Sequence, residues 1–419
     1  MPQKKKKKQP QQIRRDPRSK TALDHAFMVI RKILRAYGFD PAIFDVFSKH
    51  QRRMMCRLQA ESLRFKAEEG HHVPKRLVNF VAESTHRFMR NNYFGDESIG
   101  LTYLELATYG MAFATTVMNA RELGIFRPEQ ADIFAGLAAC FKDNRVVSDL
   151  LPVSTHLRKT VMMISKVNFR IYGFGWKIET LPWNDYISST VRISSEEPKT
   201  TRFTYNNKER IAFRVRAGRN ISTPAYDATL DRWFIYHINE DPYVYLEIYI
   251  QSHALYRAKE RIDIFPAHQK NHYIMEPLLY MQEVSHSTSG RPLLDCYTKD
   301  GDSLVRFGYY PFVVRGTRLI VLTFLPLVSP DVPEGNILRR ELGLQKEDTS
   351  FLEMDKLSFF LTVDFEQIPM LKRALKRSGI WSLVEYAAKR PDMQFPINQQ
   401  KTQFVKKFFE RKAEYDARS

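Results

Sequence analysis

The spacing of apolar positions along the chain changes texture more than once, and the changes divide it. From Thr21 to about Ile164 apolar residues recur at three- and four-residue intervals, the mark of helices with one face in a core. Phe27, Ile30, Ile33, Leu34 and Tyr37 form one stripe ending at Gly38, and Asp40-Pro41 reads as the cap and first turn of a second helix running to Gly70. That stretch sets Arg52, Arg53, Arg57, Arg64 and Lys66 around Met54, Met55 and Leu58, which suits a bundle member with a solvated face or a helix lying on nucleic acid or a membrane. Leu101 to Met118 is apolar but short for a bilayer and carries Glu105. Its Ala107, Gly110 and Ala114 permit close packing, so it predicts the buried central helix of a bundle.

At Asn168 the period shortens. The runs FRIYGFGWKI, YISSTVRI, TRFTYNN, RIAFRVR and RWFIYHI are aromatic and β-branched with turn residues between them, and they predict strands. Arg170, Arg192, Arg202, Arg210, Arg214 and Arg216 interleave with Tyr172, Phe203, Tyr205 and Phe213. Two readings fit that interleaving: a single-stranded nucleic-acid platform, where rings stack bases and arginines hold phosphates, or strands with one core face and one basic face.

The densest set of chemically useful side chains lies between Tyr243 and Phe265. Val244, Leu246, Ile248 and Ile250 alternate with Tyr243, Tyr245, Glu247 and Tyr249, predicting a strand; from Ser252, placed to cap a helix, Ala254, Leu255, Ala258 and Ile262 follow at helical spacing. On the other face His253, Arg257, Glu260 and Arg261 bring an imidazole, two guanidiniums and a carboxylate together over about two turns. Further on, Leu293–Tyr297, Ser303–Val314 and Leu319–Leu325 predict three strands, with hairpin turns at Asp300-Gly301 and Gly316-Thr317. They are expected to share one antiparallel sheet with the strand ending at Ile250. After the Pro-rich PLVSPDVPEG the pattern is helical again, around Leu371–Leu375 and Trp381–Ala388, and the final helix carries Phe404, Phe408 and Phe409 on its apolar side. The fold class is therefore α+β: a basic tail over residues 1–20, a helical domain over 21–165, an antiparallel α+β domain over 166–344 and a C-terminal helical region over 345–419.

Composition narrows the partners. With 419 residues, 43% hydrophobic, 29 Phe and 20 Tyr, the chain has ample material for folded cores. A formal charge of +18 points to a polyanion, and the first twenty residues, nine basic against Asp16, predict a disordered arm, import signal or solubilising tail. No apolar run follows those lysines, so they are not read as a secretory signal. Cys56, Cys140 and Cys296 are odd in number and widely separated, which argues against a disulfide framework or a zinc site and for a reducing, cytoplasmic compartment. His71-His72 lacks closed ligand spacing and no G-x-x-x-x-G-K-[ST] occurs, so no metal or other cofactor is expected. The expected partner is nucleic acid, RNA ahead of DNA, with no membrane and with the helical regions open to a protein partner.

The polar face after Ile250 supports chemistry or a bland alternative. RNA cleavage by its own 2′-hydroxyl needs a proton carrier, which His253 can be, and cations where phosphorane charge accumulates, which Arg257 and Arg261 supply while Glu260 orients a guanidinium. A salt-bridged outer helix face would carry the same residues. The run S-H-A-x-x-R-x-x-E-R-I at Ser252–Ile262 resembles the first helix of small RelE-type ribonuclease toxin domains, including BrnT-like toxins and related H-A-x-x-R domains. The resemblance covers about residues 244–325, with Pro277 inside the second helix as a departure. It implies a helical part leading into an antiparallel meander, with Arg257 and Arg261 at matching positions and His253 as proton carrier; a catalytic site would bring these three together with a group from the meander such as Arg306, Tyr309 or Tyr310, which with Arg214 and Arg216 are the candidate nucleic-acid contacts. Two functional classes follow: an RNA-binding protein whose core acts as a metal-independent endoribonuclease, or a non-enzymatic nucleic-acid-binding or scaffold protein of a mobile element or phage.

Overall fold

The computed structural model describes residues 20–56, 59–60, 63–181, 186–217, 226–227, 229–231, 245–280, 283–300, 303–389 and 395–416. The basic tail apart from Lys20, the RWFIYHI run, Tyr243, Val244 and Gly301 lie outside them. The class is α+β, with helices first, a central sheet and helices last. The chain divides into two compact units, residues 1–160 with 174–193, and residues 161–173 with 194–419.

In the first unit α1 (Lys20–Ala36) buries Ile30, Ile33 and Leu34 of the expected stripe together with Ala26 and Val29, while Phe27 and Tyr37 are only half-buried. The single helix expected from Pro41 to Gly70 does not form. Asp40 caps a short 3-10 turn at Pro41–Val46, and Ser48 with Gln51 forms a capping box that restarts the chain as α2 (Lys49–Met55). Beyond it lie β1 (Gln59–Ala60) and β2 (Arg64–Ala67), in which Arg64 and Lys66 are exposed while Phe65 and Ala67 are half-buried, a two-residue period that overrides the helical one. After α3 (Lys75–Asn91), α4 (Tyr103–Glu105) continues through a π turn at Leu106–Gly110 into α5 (Met111–Met118), with Leu106, Ala107, Phe113 and Val117 buried as the central helix. Next come α6 (Ala131–Cys140), α7 (Arg145–Asp149) and α8 (Leu151–Ile164), then β3 (Ile171–Leu181) and β4 (Tyr186–Glu196). β4 pairs with β3 and, in parallel, with β1 and β2. Among the described residues no helix is long and apolar enough to cross a membrane.

The second unit is built on a larger sheet. β5 (Thr200–Tyr205) and β6 (Lys208–Arg214) form a hairpin whose turn places Asn206 and Asn207 at φ +50 and +58, the left-handed pair that a two-residue turn requires. β7 (Arg216–Ala217) pairs with β8 (Tyr226–Asp227), and β9 (Thr229–Asp231) pairs with β10 (Tyr245–Gln251). Two helices follow β10, α9 (Ser252–Arg261) and α10 (Ala267–Tyr280, with Pro277 inside), then β11 (Val284–His286), β12 (Pro292–Asp300), β13 (Ser303–Arg315), β14 (Arg318–Val321) and β15 (Leu325–Pro326). The sheet order is β11-β12-β13-β14-β10-β6-β5.

β10, β13 and β14 share this sheet as expected, but the antiparallel expectation needs one correction. β10 runs parallel to β14, with Ile248 opposite Leu319 and Ile250 opposite Val321. A parallel neighbour needs a crossover, and α9, α10 and the meander supply it, so the sheet is mixed. Leu246, Ile248 and Ile250 face the core with Ala254, Leu255, Ala258 and Ile262 of α9. Each fully buried isoleucine there contributes about 1.5–3 kcal/mol.

The remaining helices are α11 (Pro333–Leu342), α12 (Lys346–Phe351), α13 (Leu357–Thr362), α14 (Pro369–Arg377), α15 (Trp381–Lys389) and α16 (Gln399–Asp416). Phe359, Leu371, Leu375, Val405 and Phe409 belong to the same apolar cluster as the sheet, so residues 345–416 are part of the second unit's core. In α16 the face turned inward is Thr402, Val405 and Phe409, while Phe404 is 45% exposed. Phe404 instead meets Phe351 and lies one turn from Phe408 on the outer side.

Candidate nucleic-acid interface

The polar face of α9 is in place, but its cations are already engaged. Ser252 is the first residue of the helix rather than its cap; Gln251 stands at the cap position without a capping bond, because its amide donates to Leu322 O and its carbonyl accepts from Arg210 Nη1 at 3.3 Å. His253 is exposed. Arg257 bridges Glu260 at 2.9 Å, and that hydrogen bond holds the Glu260 carboxyl below its ordinary range. Arg261 turns inward to Asp355, whose carboxyl is pushed up by burial even though the guanidinium pulls it down. His253 and Arg261 are eight positions apart on one helix, about 12 Å along its axis. Nothing draws the three basic groups to one point.

Arg306, Tyr309 and Tyr310 do not join them. A register shift in β12 between Cys296 and Tyr297 puts Cys296 opposite Gly308 and Tyr297 opposite Arg306, so β13 carries an extra residue there. Without that bulge Arg306 and Tyr309 would point to opposite faces; with it both sit on the outer face beside Asp295 and Tyr297. Arg306 lies between the Tyr297 and Tyr309 rings, 5.0 and 5.1 Å from their centroids, and bridges Asp295 at 2.7 Å and Glu334 of α11 at 2.8 Å. The Tyr309 hydroxyl donates to Glu334 at 2.8 Å. Tyr310 faces the other way, fully buried, its hydroxyl donating to Ile274 O at 3.3 Å. Burial pushes the Asp295 carboxyl upward; its Oδ2 accepts from Ser285, Tyr297 and Arg306, while Oδ1 is buried without a partner. Tyr309 and Tyr310 have no surface to offer a nucleic acid, and Arg306 is held by two carboxylates.

Farther along the same outer face the balance of charge reverses. Register places Arg214 of β6 opposite Tyr249 of β10, Glu247 opposite Arg318 of β14, and Arg318 opposite Arg315 of β13. The Arg214 and Arg318 guanidiniums lie 5.9 and 5.8 Å from the Tyr249 ring centroid, on a small cluster of Ala212, Tyr249 and Ile320 that Phe203 and Val313 flank. Arg214 bridges Glu247 at 2.5 Å, the Tyr249 hydroxyl donates to Glu247 at 3.2 Å, and Arg318 Nη1 donates to Thr201 Oγ1 at 2.7 Å. Arg315 is exposed and forms no ion pair among the described residues. Among the described residues three guanidiniums thus face one carboxylate in a row about 14 Å wide across four strands. Like charges directly opposite each other cost stability, roughly 0.2–1 kcal/mol for such a pair, yet Arg315 and Arg318 are held there.

Of the interleaved residues, Arg210, Arg214, Phe203 and Tyr205 share this face, with Arg210 5.8 Å from the Tyr205 ring, while Arg202 and Phe213 point to the other side. Arg216 is paired with Glu196 at 2.6 Å. Sequence reasoning missed Arg315 and Arg318. The signal was present: a two-residue turn sets its flanking residues directly opposite, so R-G-T-R at Arg315–Arg318 specifies facing arginines. Gly316 at φ +59 supplies the left-handed residue the turn needs.

No protein-family model, curated protein or solved structure matches the chain.

Proposed function

We propose that this chain binds single-stranded nucleic acid, RNA ahead of DNA, through the outer face of the second unit's sheet and without cutting it. The observation that carries the reading is the surplus of guanidiniums around Tyr249: among the described residues, Arg214, Arg315 and Arg318 against the carboxylate of Glu247, on a surface where a phosphate can replace water. The preference for RNA rests on the resemblance of Ser252–Ile262 to the first helix of RelE-type domains, and the strand, two helices and meander from β10 to β14 have the order that resemblance implies. Binding is favoured over cleavage because Arg257 and Arg261 are paired with Glu260 and Asp355, and Arg306 with Asp295 and Glu334. A cleaving site would hold free donors where transition-state charge develops.

The test is the salt dependence of binding to a fluorescent oligouridylate. Each phosphate contact contributes about 0.7 to the slope of log affinity against log salt for a single strand. Replacing both Arg315 and Arg318 by Ala is expected to lower that slope by about 1.4 and to weaken binding at least tenfold, with the oligonucleotide recovered intact from the wild-type mixture. A slope unchanged in the double variant, or no binding at low salt, defeats the proposal; fragments released by wild type would restore the ribonuclease reading.

A further inference from the structure

The β5–β6 hairpin extends past the point where α9 begins. On its inner side Arg202 stands opposite Ile211 and Thr204 opposite Glu209. The strand residue Phe213 still packs on the core, but Ile211, two positions earlier, is 48% exposed. Between this overhang and the first residues of α9 is a solvent-open depression of about 500 Å³, lined by Arg202, Glu209, Arg210, Ile211, Ser252 and His253 among others. That volume is within the roughly 300–1,000 Å³ of small-molecule sites.

Its chemistry is that of a nucleotide. Two guanidiniums and an imidazole face one carboxylate, and the one ion pair present is weak: Arg202 and Glu209 stand 3.8 Å apart with both side chains mostly in water. Exposed pairs of this kind contribute about 0–1 kcal/mol, so Arg202 can exchange Glu209 for a phosphate at little cost. Arg210 is better fixed. It rests beside the Tyr205 ring and donates to Gln251, which leaves other guanidinium hydrogens for a ligand. Ile211 gives the same hollow an apolar wall against which a base can lie, and Ser252 and His253 place a hydroxyl and an imidazole at its other side. Arg210 also belongs to the outer face with Arg214, two strand positions beyond Ala212, so the hollow continues the arginine row described above.

We infer that this depression holds one nucleotide of the bound strand, its base against Ile211 and its phosphate on Arg202, with Arg210 meeting it at the rim from the outer face and His253 contacting it. The inference rests on the nucleic-acid reading and adds a defined seat to it. His253 is then a binding residue at the end of the track.

The experiment follows the His253 ring resonances of the full chain by carbon–proton correlation, assigned with His253→Gln, during titration with oligouridylate and separately with uridine monophosphate. Both probes are expected to move the His253 signals, the monophosphate at millimolar concentration. Arg202→Ala, which alters a side chain standing mostly in water, should abolish the monophosphate effect and weaken the oligonucleotide about tenfold. If the oligonucleotide binds and Arg315→Ala weakens it, while His253 stays still and Arg202→Ala changes nothing, the seat is wrong and the outer-face reading survives. If no oligonucleotide binds at low salt, both fall.

Discussion

The outer face of one sheet carries two arginine–tyrosine sandwiches of opposite construction. In the first, one guanidinium lies between two rings, Tyr297 and Tyr309, and answers to two carboxylates, Asp295 and Glu334. In the second, one ring, Tyr249, lies between two guanidiniums: Arg214, paired with Glu247, and Arg318, bonded to the Thr201 hydroxyl, with Arg315 beside them. The same residue types thus make a sealed structural joint at one end and an electropositive surface at the other. What decides between them is the ratio of cations to carboxylates and whether another element closes over them. α11 brings Glu334 onto the first, and the edge of the β13–β14 hairpin leaves Arg315 and Arg318 of the second exposed.

Breaking the sealed joint should have the largest effect. Arg306→Ala leaves the buried Asp295 and the half-buried Glu334 without their cation, and removing one member of such a network typically costs about 3–5 kcal/mol. Urea unfolding should show a loss near 3 kcal/mol. A triple variant, Arg306→Met with Asp295→Asn and Glu334→Gln, should recover most of it, because the neutral set leaves no charge stranded. Nucleic-acid affinity per folded molecule should be unaltered in both variants. A stable Arg306→Ala protein with impaired binding would invert the roles assigned to the two sandwiches.

How much of this could be read from the residues depends on the range over which each contact acts. The period change at Gln251–Ser252, the apolar face of α9 and the turn at Gly316-Thr317 are local and appear where the spacing places them. The failures that decide the site's chemistry are nonlocal. Arg261 is taken by Asp355 and Arg306 by Glu334, partners that no window of sequence brings together. The bulge at Cys296–Tyr297 reverses which residues of β13 share a face, and strict alternation cannot see it. Likewise the helix expected through residue 70 yielded to β2, whose pairing with β4 lies more than a hundred residues away.

A smaller effect should separate the sandwiches by pH. Burial raises the Asp295 carboxyl above its ordinary range, with Glu283 adding to the rise and Ser285, Arg306 and Tyr297 opposing it. A carboxyl raised in the folded state binds its proton more tightly there than when unfolded. Its contribution is therefore present below the unfolded value and is lost as pH rises through the folded one. Wild type should lose stability across that window while Asp295→Asn stays flat, the two differing by roughly 1.5 kcal/mol at most, the scale of one hydrogen bond to a charged group. Parallel curves would mean that the carboxyl keeps its ordinary value despite the orphaned Oδ1.

The smallest predicted effect concerns the open sandwich, and it has the opposite sign. Among the described residues Glu247 is the carboxylate that meets the three arginines, and it holds Arg214 at 2.5 Å. As Glu247→Gln keeps the size and the ability to accept from Tyr249, the cluster's shape should persist while its formal charge rises by one. The Arg214 and Glu247 side chains are 13% and 32% exposed, so losing this pair should cost about 1 kcal/mol, further increased only by repulsion among Arg214, Arg315 and Arg318. Binding should improve, because Arg214 no longer has to leave a carboxylate to meet a phosphate and a repelling charge is gone; about three- to fivefold tighter binding to oligouridylate at low salt, fading as salt screens the face, is the expected size for less than about 1 kcal/mol. The corresponding change in the sealed joint, Glu334→Gln, should lower stability and leave affinity alone. Should Glu247→Gln weaken binding instead, Glu247 would be orienting Arg214 for the ligand, and charge surplus would not be what distinguishes the two ends of this sheet.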